Sequence, residues 1–404
     1  MRDKTSELNA ESAEPAERNR RFIEGSVISA FSASSALKSF LPRRMRALRR
    51  LMASKRLHAM LLTHPLSVRY LTGFTGEDSF LLLGGRPRRW AMLLTDGRFA
   101  QQARLECPKL KAYVRPGRMV EAVKLNLAGR GVRSLGIEAS HMSVALRDEL
   151  ARTLGAVQLK PMQGQLEAMR EVKDATELAA IGKAIRVAER ALSYLLAGGK
   201  AKFVGRTERQ VAAELEFLMR TYGADRPSVD TIVAAGPHSA MPHYRAGDRR
   251  IKPNDIILID WGAVVGGYCS DLTRVLLVGR IPPKLAEVYQ LLLRAQRRGI
   301  AAVSAGSTGE SADAAAREVI AAAGYGAAFS HGLGHGLGLE VHEGPRLGRK
   351  ATAQLRPGMV VTVEPGIYLP GLGGVRIEDD VLVGSGGREV LSRLPKTMAA
   401  MTLR

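Results

Sequence analysis

Cysteine is almost absent from this sequence, which has only Cys107 and Cys269 in 404 residues. Two cysteines cannot build the disulfide framework that stabilises many secreted domains. Long hydrophobic runs are also missing, since no uninterrupted apolar stretch of the chain approaches the ~20 residues that a membrane-spanning helix requires. We therefore expect a soluble protein of a reducing compartment, the cytoplasm, without a membrane segment.

Acidic residues are scarce relative to basic ones. The chain has 60 Lys and Arg against 39 Asp and Glu, a net charge of +21, and residues 1–160 alone hold 29 basic and 14 acidic side chains. Such an excess attracts anionic partners, including nucleic acid. No nucleic-acid-binding motif, phosphate-binding loop or dinucleotide fingerprint accompanies the charge, so a solvated basic surface is the simpler interpretation. Nucleic-acid binding is not expected.

The most informative stretch is residues 256–274, IILIDWGAVVGGYCSDLTR. An apolar run leads into Asp260, a turn at Val265 and Gly266 follows, and a second strand carries Asp271. With a two-residue turn, Asp260 lies directly opposite Asp271, with Cβ atoms about 5 Å apart. Like charges at this separation repel unless a bound cation neutralises them or the two carboxyl groups share a proton.

A second hairpin repeats this arrangement. Met359–Val363 leads into Glu364, a turn centred on Gly371 follows, and the returning strand reaches Glu378, which is predicted to face Glu364. Two long helices are predicted before each hairpin: Asp174–Ala197 and Thr207–Tyr222, then Pro283–Ser304 and Gly309–Ala323. Helix, helix and acidic hairpin therefore occur twice, which predicts a pseudo-twofold α+β fold that buries its ligands between two sheets. Four carboxylates suggest more than one metal ion.

Between the hairpins lies a segment rich in histidine and glycine, SHGLGHGLGLEVHEGP at residues 330–345. His331, His335 and His342 all fall within it. Its glycines argue against a helix and for a strand or loop, and they let the backbone approach a crowded centre closely. An isolated histidine is usually structural, but three beside four paired acids indicate metal binding or acid/base chemistry.

The pattern along the chain predicts two domains after an extension. Residues 1–40 show no helical or strand periodicity and are expected to be disordered. Helical and strand patterns alternate in residues 41–163, which predicts an α/β domain. Residues 164–404 hold the long helices and both acidic hairpins, and form the second domain.

Several motifs carry a family resemblance. The ordered set DWGAVVGGYCSDLTR, HGLGHGLGLEVHEGP, VEPG and GVRIEDD resembles the pita-bread metallopeptidases of the aminopeptidase P and prolidase group. YLTGF (residues 70–74) and TDGRF (residues 95–99) resemble the creatinase-type N-terminal domain of the same proteins. The resemblance covers residues 41–395 and implies an α/β N-terminal domain followed by an α+β pita-bread catalytic domain.

The resemblance also implies the functional residues. Two divalent metal ions, manganese in the first place and otherwise cobalt or zinc, would activate water and polarise the scissile carbonyl. Their implied ligands are Asp260, Asp271, His335, Glu364 and Glu378, with Asp271 and Glu378 bridging and Glu364 also accepting a proton. The other implied catalytic residues are His243 near the leaving proline nitrogen, His331 and His342 in the substrate pocket, and Arg376 beside the last ligand.

Two classes of function compete. The first is a hydrolase acting on peptides with proline at the second position. Within it, an Xaa-Pro aminopeptidase is the main expectation and a dipeptide-specific prolidase is the alternative. The second is a non-catalytic binding scaffold with a basic N-terminal domain. The complete ligand set favours the hydrolase, and the resemblance implies a homodimer.

Overall fold

The structure, a computed structural model, describes residues 40–85 and 89–404. These residues divide into two compact units between Leu166 and Glu167. The predicted disordered extension lies outside the described residues except for residue 40, which is helical.

The first unit is a mixed sheet with helices. Its strands are β1 (Ala59–Leu62), β2 (Phe80–Gly84), β3 (Ala91–Thr95), β4 (Lys111–Val114), β5 (Ser134–Glu138) and β6 (Gln158–Met162), and its helices are α1 (40–54), α2 (Pro65–Thr72), α3 (Ala100–Glu106), α4 (Met119–Leu127) and α5 (Val144–Leu154). The strand order is β4-β3-β2-β1-β5-β6, with β1 antiparallel to β2 and parallel to β5. The predicted alternation of helices and strands is confirmed.

Apolar side chains of the strands and two helices form the core of the first unit. Leu61, Leu82 and Leu94 of the sheet pack in one buried cluster with Val123 of α4 and Leu150 of α5. Burying a side chain of this size contributes about 1.5–3 kcal/mol to folding.

The second unit contains the elements that form both acidic hairpins. Its helices are α7 (Ala175–Ala197), α8 (Glu208–Thr221), α9 (Pro283–Ala302), α10 (Gly309–Ala322) and α11 (Met398–Met401), preceded by α6 (Gln165–Glu171), which spans the division between the units. Its strands are β7 (Arg226–Pro227), β8 (Ile232–Ala235), β9 (Ile256–Trp261), β10 (Ala263–Val265), β11 (Tyr268–Cys269), β12 (Leu272–Leu277), β13 (Gly334–Gly336), β14 (Glu343–Leu347), β15 (Val360–Val363), β16 (Gly366–Leu369), β17 (Gly373–Arg376), β18 (Asp379–Val383) and β19 (Arg388–Val390).

The long helices start where local sequence favours a start. Three of them begin with a capping box, in which the N-cap side chain and the third helical residue each bond to the other's backbone N–H. These pairs are Asp174 and Glu177 in α7, Thr207 and Gln210 in α8, and Thr308 and Ser311 in α10. The predicted helix pairs before the two hairpins are confirmed.

The paired strands β9 and β12 are buried on both faces. Ile257 and Ile259 of β9 pack in a core with α7 and α8, whereas Ile256 and Leu258 pack in a core with α9 and α10. Strands β15 and β18 contribute to the second of these cores. A strand that is buried on both faces has a continuous run of apolar residues in its sequence, and such a run precedes Asp260.

The register of the first acidic hairpin differs from the prediction. The turn is formed by Gly266 and Gly267, whose φ angles of 57° and 84° suit a tight two-residue hairpin turn, one residue later than predicted. The pairing therefore moves by two residues, and Asp260 lies opposite Thr273 instead of Asp271. Because side chains alternate with a period of two, this shift leaves both aspartates on the same face.

The second acidic hairpin has the predicted register. Val363 pairs with Asp379, and the pairs of β16 with β17 continue the same alignment. Glu364 and Glu378 therefore face each other, as predicted. Among the helices of the described residues, none combines the length and apolar character of a bilayer span.

Candidate metal centre

All five predicted ligands line one cavity of about 800 Å³ in the second unit. Asp271, His335 and Glu378 each place one donor atom within 4.8 Å of the other two. Nε2 of His335 also lies 3.2 Å from Oε1 of Glu364, while Asp260 accepts a hydrogen bond from Arg376. The two hairpins and the histidine-rich segment therefore bring their acidic and imidazole groups to one place.

The ligand candidates sit at the ends of strands. Asp260 lies near the end of β9, Asp271 directly before β12, His335 in β13, Glu364 directly after β15, and Glu378 directly before β18. Strand backbones fix these positions, so the side chains are held before any ligand binds.

The carboxylates are buried together, which makes their charges unfavourable. Burial raises the pKa of Asp271 and of Glu378 well above the usual range, and neighbouring carboxylates raise both further. Burial also raises the pKa of Asp260, although Arg376 opposes this shift. Oδ1 of Asp260 and Oε1 of Glu378 are buried and accept no hydrogen bond from the described residues. Buried anionic oxygens without donors are the expected surroundings of a cation.

His335 and Glu364, whose side chains are 13% and 16% exposed, form a pair of opposite charge. Burial alone would lower the pKa of His335, but the hydrogen bond and charge of Glu364 raise it to about 9. Burial would raise the pKa of Glu364, but His335 lowers it to about 2. Nδ1–H of His335 donates to the carbonyl oxygen of Gly336 at 3.1 Å, which directs Nε2 toward the acids. This arrangement is typical of metal-binding histidines.

Arg376 connects both halves of the site. Its Nη2 donates to Asp260, its Nη1 donates to the Tyr368 hydroxyl at 2.8 Å, and its Nε donates to Oγ1 of Thr273 at 3.1 Å. The Thr273 hydroxyl in turn donates to Oε2 of Glu378 at 2.6 Å. The guanidinium therefore orients Asp260 of the first hairpin directly and Glu378 of the second hairpin through Thr273.

The predicted pocket histidines line the same cavity. Nε2 of His331 lies 2.9 Å from the Tyr368 hydroxyl, and the His342 ring meets the His335 ring edge-on at 4.4 Å between centroids. Burial lowers the pKa of both His331 and His342, which favours their neutral forms. His243 is exposed on the cavity wall.

Three further residues contact the site but were absent from the sequence-based prediction. They are Tyr368, Thr273 and Asp380, whose Oδ2 accepts a hydrogen bond from the backbone N–H of Asp271 at 3.3 Å. Thr273 lies in the motif DLTR and Asp380 in the motif EDD, so the motifs could have indicated that both residues belong to the site. Their partners lie more than 100 residues away, and no local pattern identifies them.

The donor set fits divalent metal ions. Four carboxylates and one imidazole supply oxygen-rich ligation, and the positive charge of the ions would offset the repulsion among the acids. A pseudo-twofold fold with such a site defines a metal-dependent hydrolase of the pita-bread type.

Comparison with known proteins gives the family. The chain belongs to metallopeptidase family M24, whose model matches residues 179–385, and residues 44–172 match the creatinase/prolidase N-terminal domain. The family and the fold expected from the motifs are therefore confirmed.

Similar proteins include peptidases named for Xaa-Pro substrates. The chain is 38% identical over 355 residues to the uncharacterized peptidase YqhT of Bacillus subtilis, covering 88% of this chain and 99% of that protein. It is 41% identical over 268 residues to the Xaa-Pro dipeptidase of Pyrococcus horikoshii, covering 66% of this chain and 75% of that protein. The solved structure of the Xaa-Pro dipeptidase from Bacillus anthracis matches with a TM-score of 0.85 at 37% identity, covering 90% of this chain and all of that one.

Proposed function

We propose that this protein is an Xaa-Pro dipeptidase, which hydrolyses dipeptides at the bond between the N-terminal residue and the following proline. The main support is the convergence of five metal-ligand candidates in the cavity that also holds His243. The comparisons favour the dipeptidase alternative over the aminopeptidase, because similar proteins are named Xaa-Pro dipeptidase.

Two divalent ions are proposed as cofactors, with manganese as the preferred metal. The residues that would hold them are Asp260, Asp271, His335, Glu364 and Glu378. When bound, the ions supply an activated water and polarise the scissile carbonyl. Glu364, ionised at neutral pH, accepts a proton from the attacking water.

Proline makes the leaving group unusual. Its nitrogen carries no hydrogen in a peptide bond, so the scissile bond is a tertiary amide. As in the hydrolysis of any amide, the leaving nitrogen must gain a proton as the bond breaks. His243 is the proposed donor, since it lies on the cavity wall and is exposed to the substrate space. His331 and His342, whose pKa values are lowered mainly by partial burial, line the pocket, and Arg376 keeps a positive charge beside Asp260.

We expect His243→Ala to lower kcat for Ala-Pro by about a hundredfold, because general acid catalysis contributes about that much or more. Both metal ions should remain bound, since His243 is not among the ligands. The measurement is steady-state kinetics with metal analysis of the same samples. An unchanged kcat would remove His243 from the proposed role.

The substrate is tested by offering Ala-Pro, Ala-Pro-Ala and Ala-Ala to the manganese-loaded protein. A dipeptidase should cleave Ala-Pro much faster than the other two. Faster release of alanine from Ala-Pro-Ala would return the assignment to an aminopeptidase, and equal cleavage of Ala-Ala would remove the proline specificity. No cleavage of any of the three would favour the binding scaffold.

A homodimer in the cytoplasm is also proposed. The dimer is implied by the resemblance described above, and the two buried free thiols fit a reducing compartment. Light scattering of the purified chain tests the dimer, which would be ruled out by a mass near 43.6 kDa at micromolar concentration.

A further inference from the structure

A buried carboxylate outside the metal centre organises the loop that carries His243. Glu208 is the first residue of α8, and its side chain is fully buried. Its oxygens receive the N–H of Ala235 at 2.8 Å, the Tyr244 hydroxyl at 2.7 Å and the N–H of Gly247 at 3.3 Å, with Nδ1 of His238 at 3.0 Å. All four groups belong to residues 235–247, which we name the His243 loop.

The His243 loop has little regular structure of its own. After a short 3-10 turn at Gly236–Ala240, residues 241–249 form neither helix nor strand. Backbone bonds tie its far end to α8, since the N–H of Arg209 donates to the carbonyl oxygen of Gly247 at 3.0 Å, and side-chain contacts hold the rest of its path. Glu208 supplies four of them, distributed from one end of the loop to the other.

The opposite side of the loop is attached to β17, which carries Arg376. The backbone N–H of Gly374 donates to Oγ of Ser239 at 2.8 Å, and Arg376 donates to the carbonyl oxygen of Pro242 at 3.3 Å. The loop is thus held between Glu208 and the strand that leads into Glu378. A displacement on the Glu208 side would move His243 relative to the metal ligands.

His243 depends on this support because it has none of its own. Within residues 40–85 and 89–404, its imidazole makes no hydrogen bond, although the neighbouring Tyr244 bonds directly to Glu208. Backbone placement therefore decides where the ring points. Misplacing a catalytic group by about 1 Å can cost about a hundredfold in rate.

We propose that Glu208 is a positioning residue that fixes the His243 loop and so aims His243 at the leaving nitrogen. This rests on the proposed function for the role of His243, but the loop geometry stands without it. Glutamine keeps the size of the side chain but turns one acceptor oxygen into an amide donor. The backbone N–H groups of Ala235 and Gly247 donate to different oxygens of Glu208, so Glu208→Gln leaves one of them without an acceptor whichever way the amide is oriented.

The first test needs no activity. Hydrogen exchange of the Glu208→Gln variant, metal-loaded, should be faster than in the parent for peptides covering residues 235–247 and unchanged in α7. The matched control is Glu214→Gln, because Glu214 lies on the same helix but pairs with Lys202 and Arg206. Exchange in the His243 loop equal to that of the parent would overturn the proposal whether or not the protein cleaves Ala-Pro.

The second test is a double-mutant cycle with Ala-Pro as substrate. Glu208→Gln should lower kcat by about tenfold with KM changed less than about threefold and metal content unchanged, while Glu214→Gln matches the parent. In the His243→Ala background, Glu208→Gln should lower kcat by less than about twofold, because the group that it positions is gone.

A tenfold loss that persists in the His243→Ala background would contradict positioning through His243 and assign Glu208 a general structural role. A parent that cleaves no Xaa-Pro peptide, combined with faster exchange in the His243 loop of Glu208→Gln, would overturn the proposed function and leave the positioning of the loop supported.

Discussion

Thr273→Val removes one hydroxyl group and leaves the shape of the side chain almost unchanged. Thr273 is fully buried, donates to Glu378 at 2.6 Å and accepts from Arg376 at 3.1 Å. Valine keeps the β-branched form that suits strand β12 but can make neither bond. The variant therefore isolates the contribution of these two hydrogen bonds.

The size of the effect follows from the charges on both partners. A hydrogen bond to a charged group contributes about 1.5–3 kcal/mol, so losing two should lower the free energy of unfolding of the metal-loaded protein, in which Glu378 is ionised, by about 3 kcal/mol or more. Glu378 also loses the group that orients it toward the metal. Removing such an orienting group typically weakens metal binding by about 10–100-fold, which equals about 1.4–2.8 kcal/mol.

The assay is calorimetric titration of the metal-free protein with Mn²⁺, together with denaturant unfolding. Thr95→Val is the matched control, because Thr95 is equally buried and, among the described residues, its hydroxyl bonds only to that of Ser79, at 2.8 Å, in the first unit. It should cost about 0.5–1.5 kcal/mol and leave manganese affinity unchanged. Thr273→Val binding manganese within about twofold of the parent would refute the orienting role of the hydroxyl.

Further predictions concern pH and charge. In the metal-free protein, the attraction between His335 and Glu364 outweighs the cost of burying the two groups. Its contribution to the free energy of unfolding should be fully present between about pH 4.5 and 6.5. That contribution should be lost as pH rises through about 9 or falls through about 2. Glu364→Gln should therefore lower the Tm of the metal-free protein most near pH 5.5, and an equal loss at pH 10 would refute the pairing. Manganese must displace the proton of His335, so its affinity, measured by titration, should increase with pH up to about 9, and a pH-independent affinity would argue against this ligand. Duplex DNA should bind weakly and lose binding with salt in fluorescence anisotropy, whereas sequence-selective binding at physiological salt would favour the scaffold.

The site could be predicted from the sequence because its hairpins are local. The turn of the first hairpin was placed one residue too early, since Gly266 and Gly267 both adopt positive φ. The resulting error of two residues in register changed the partner of Asp260 from Asp271 to Thr273. It did not change the face on which the two acids lie, because the side-chain period is also two.

The supporting contacts could not be predicted in this way. Thr273 meets Glu378 across 105 positions of the chain, and Glu208 meets Tyr244 across 36. Such pairs depend on how whole elements pack, and no periodicity or turn signal encodes them. Helix starts were the opposite case, since the capping residues of α7 and α8 are within three positions of their partners.

The number of metal ions bound per chain, measured together with Ala-Pro hydrolysis, tests the central claim most directly. After manganese loading and removal of free metal, the parent should retain two ions per chain and cleave Ala-Pro, and chelation should abolish activity and lower the Tm because the ions bind only the folded state. Asp271→Asn should retain fewer ions and lose activity. A parent that retains no ion, or an Asp271→Asn variant that binds two ions and cleaves Ala-Pro like the parent, would contradict the account.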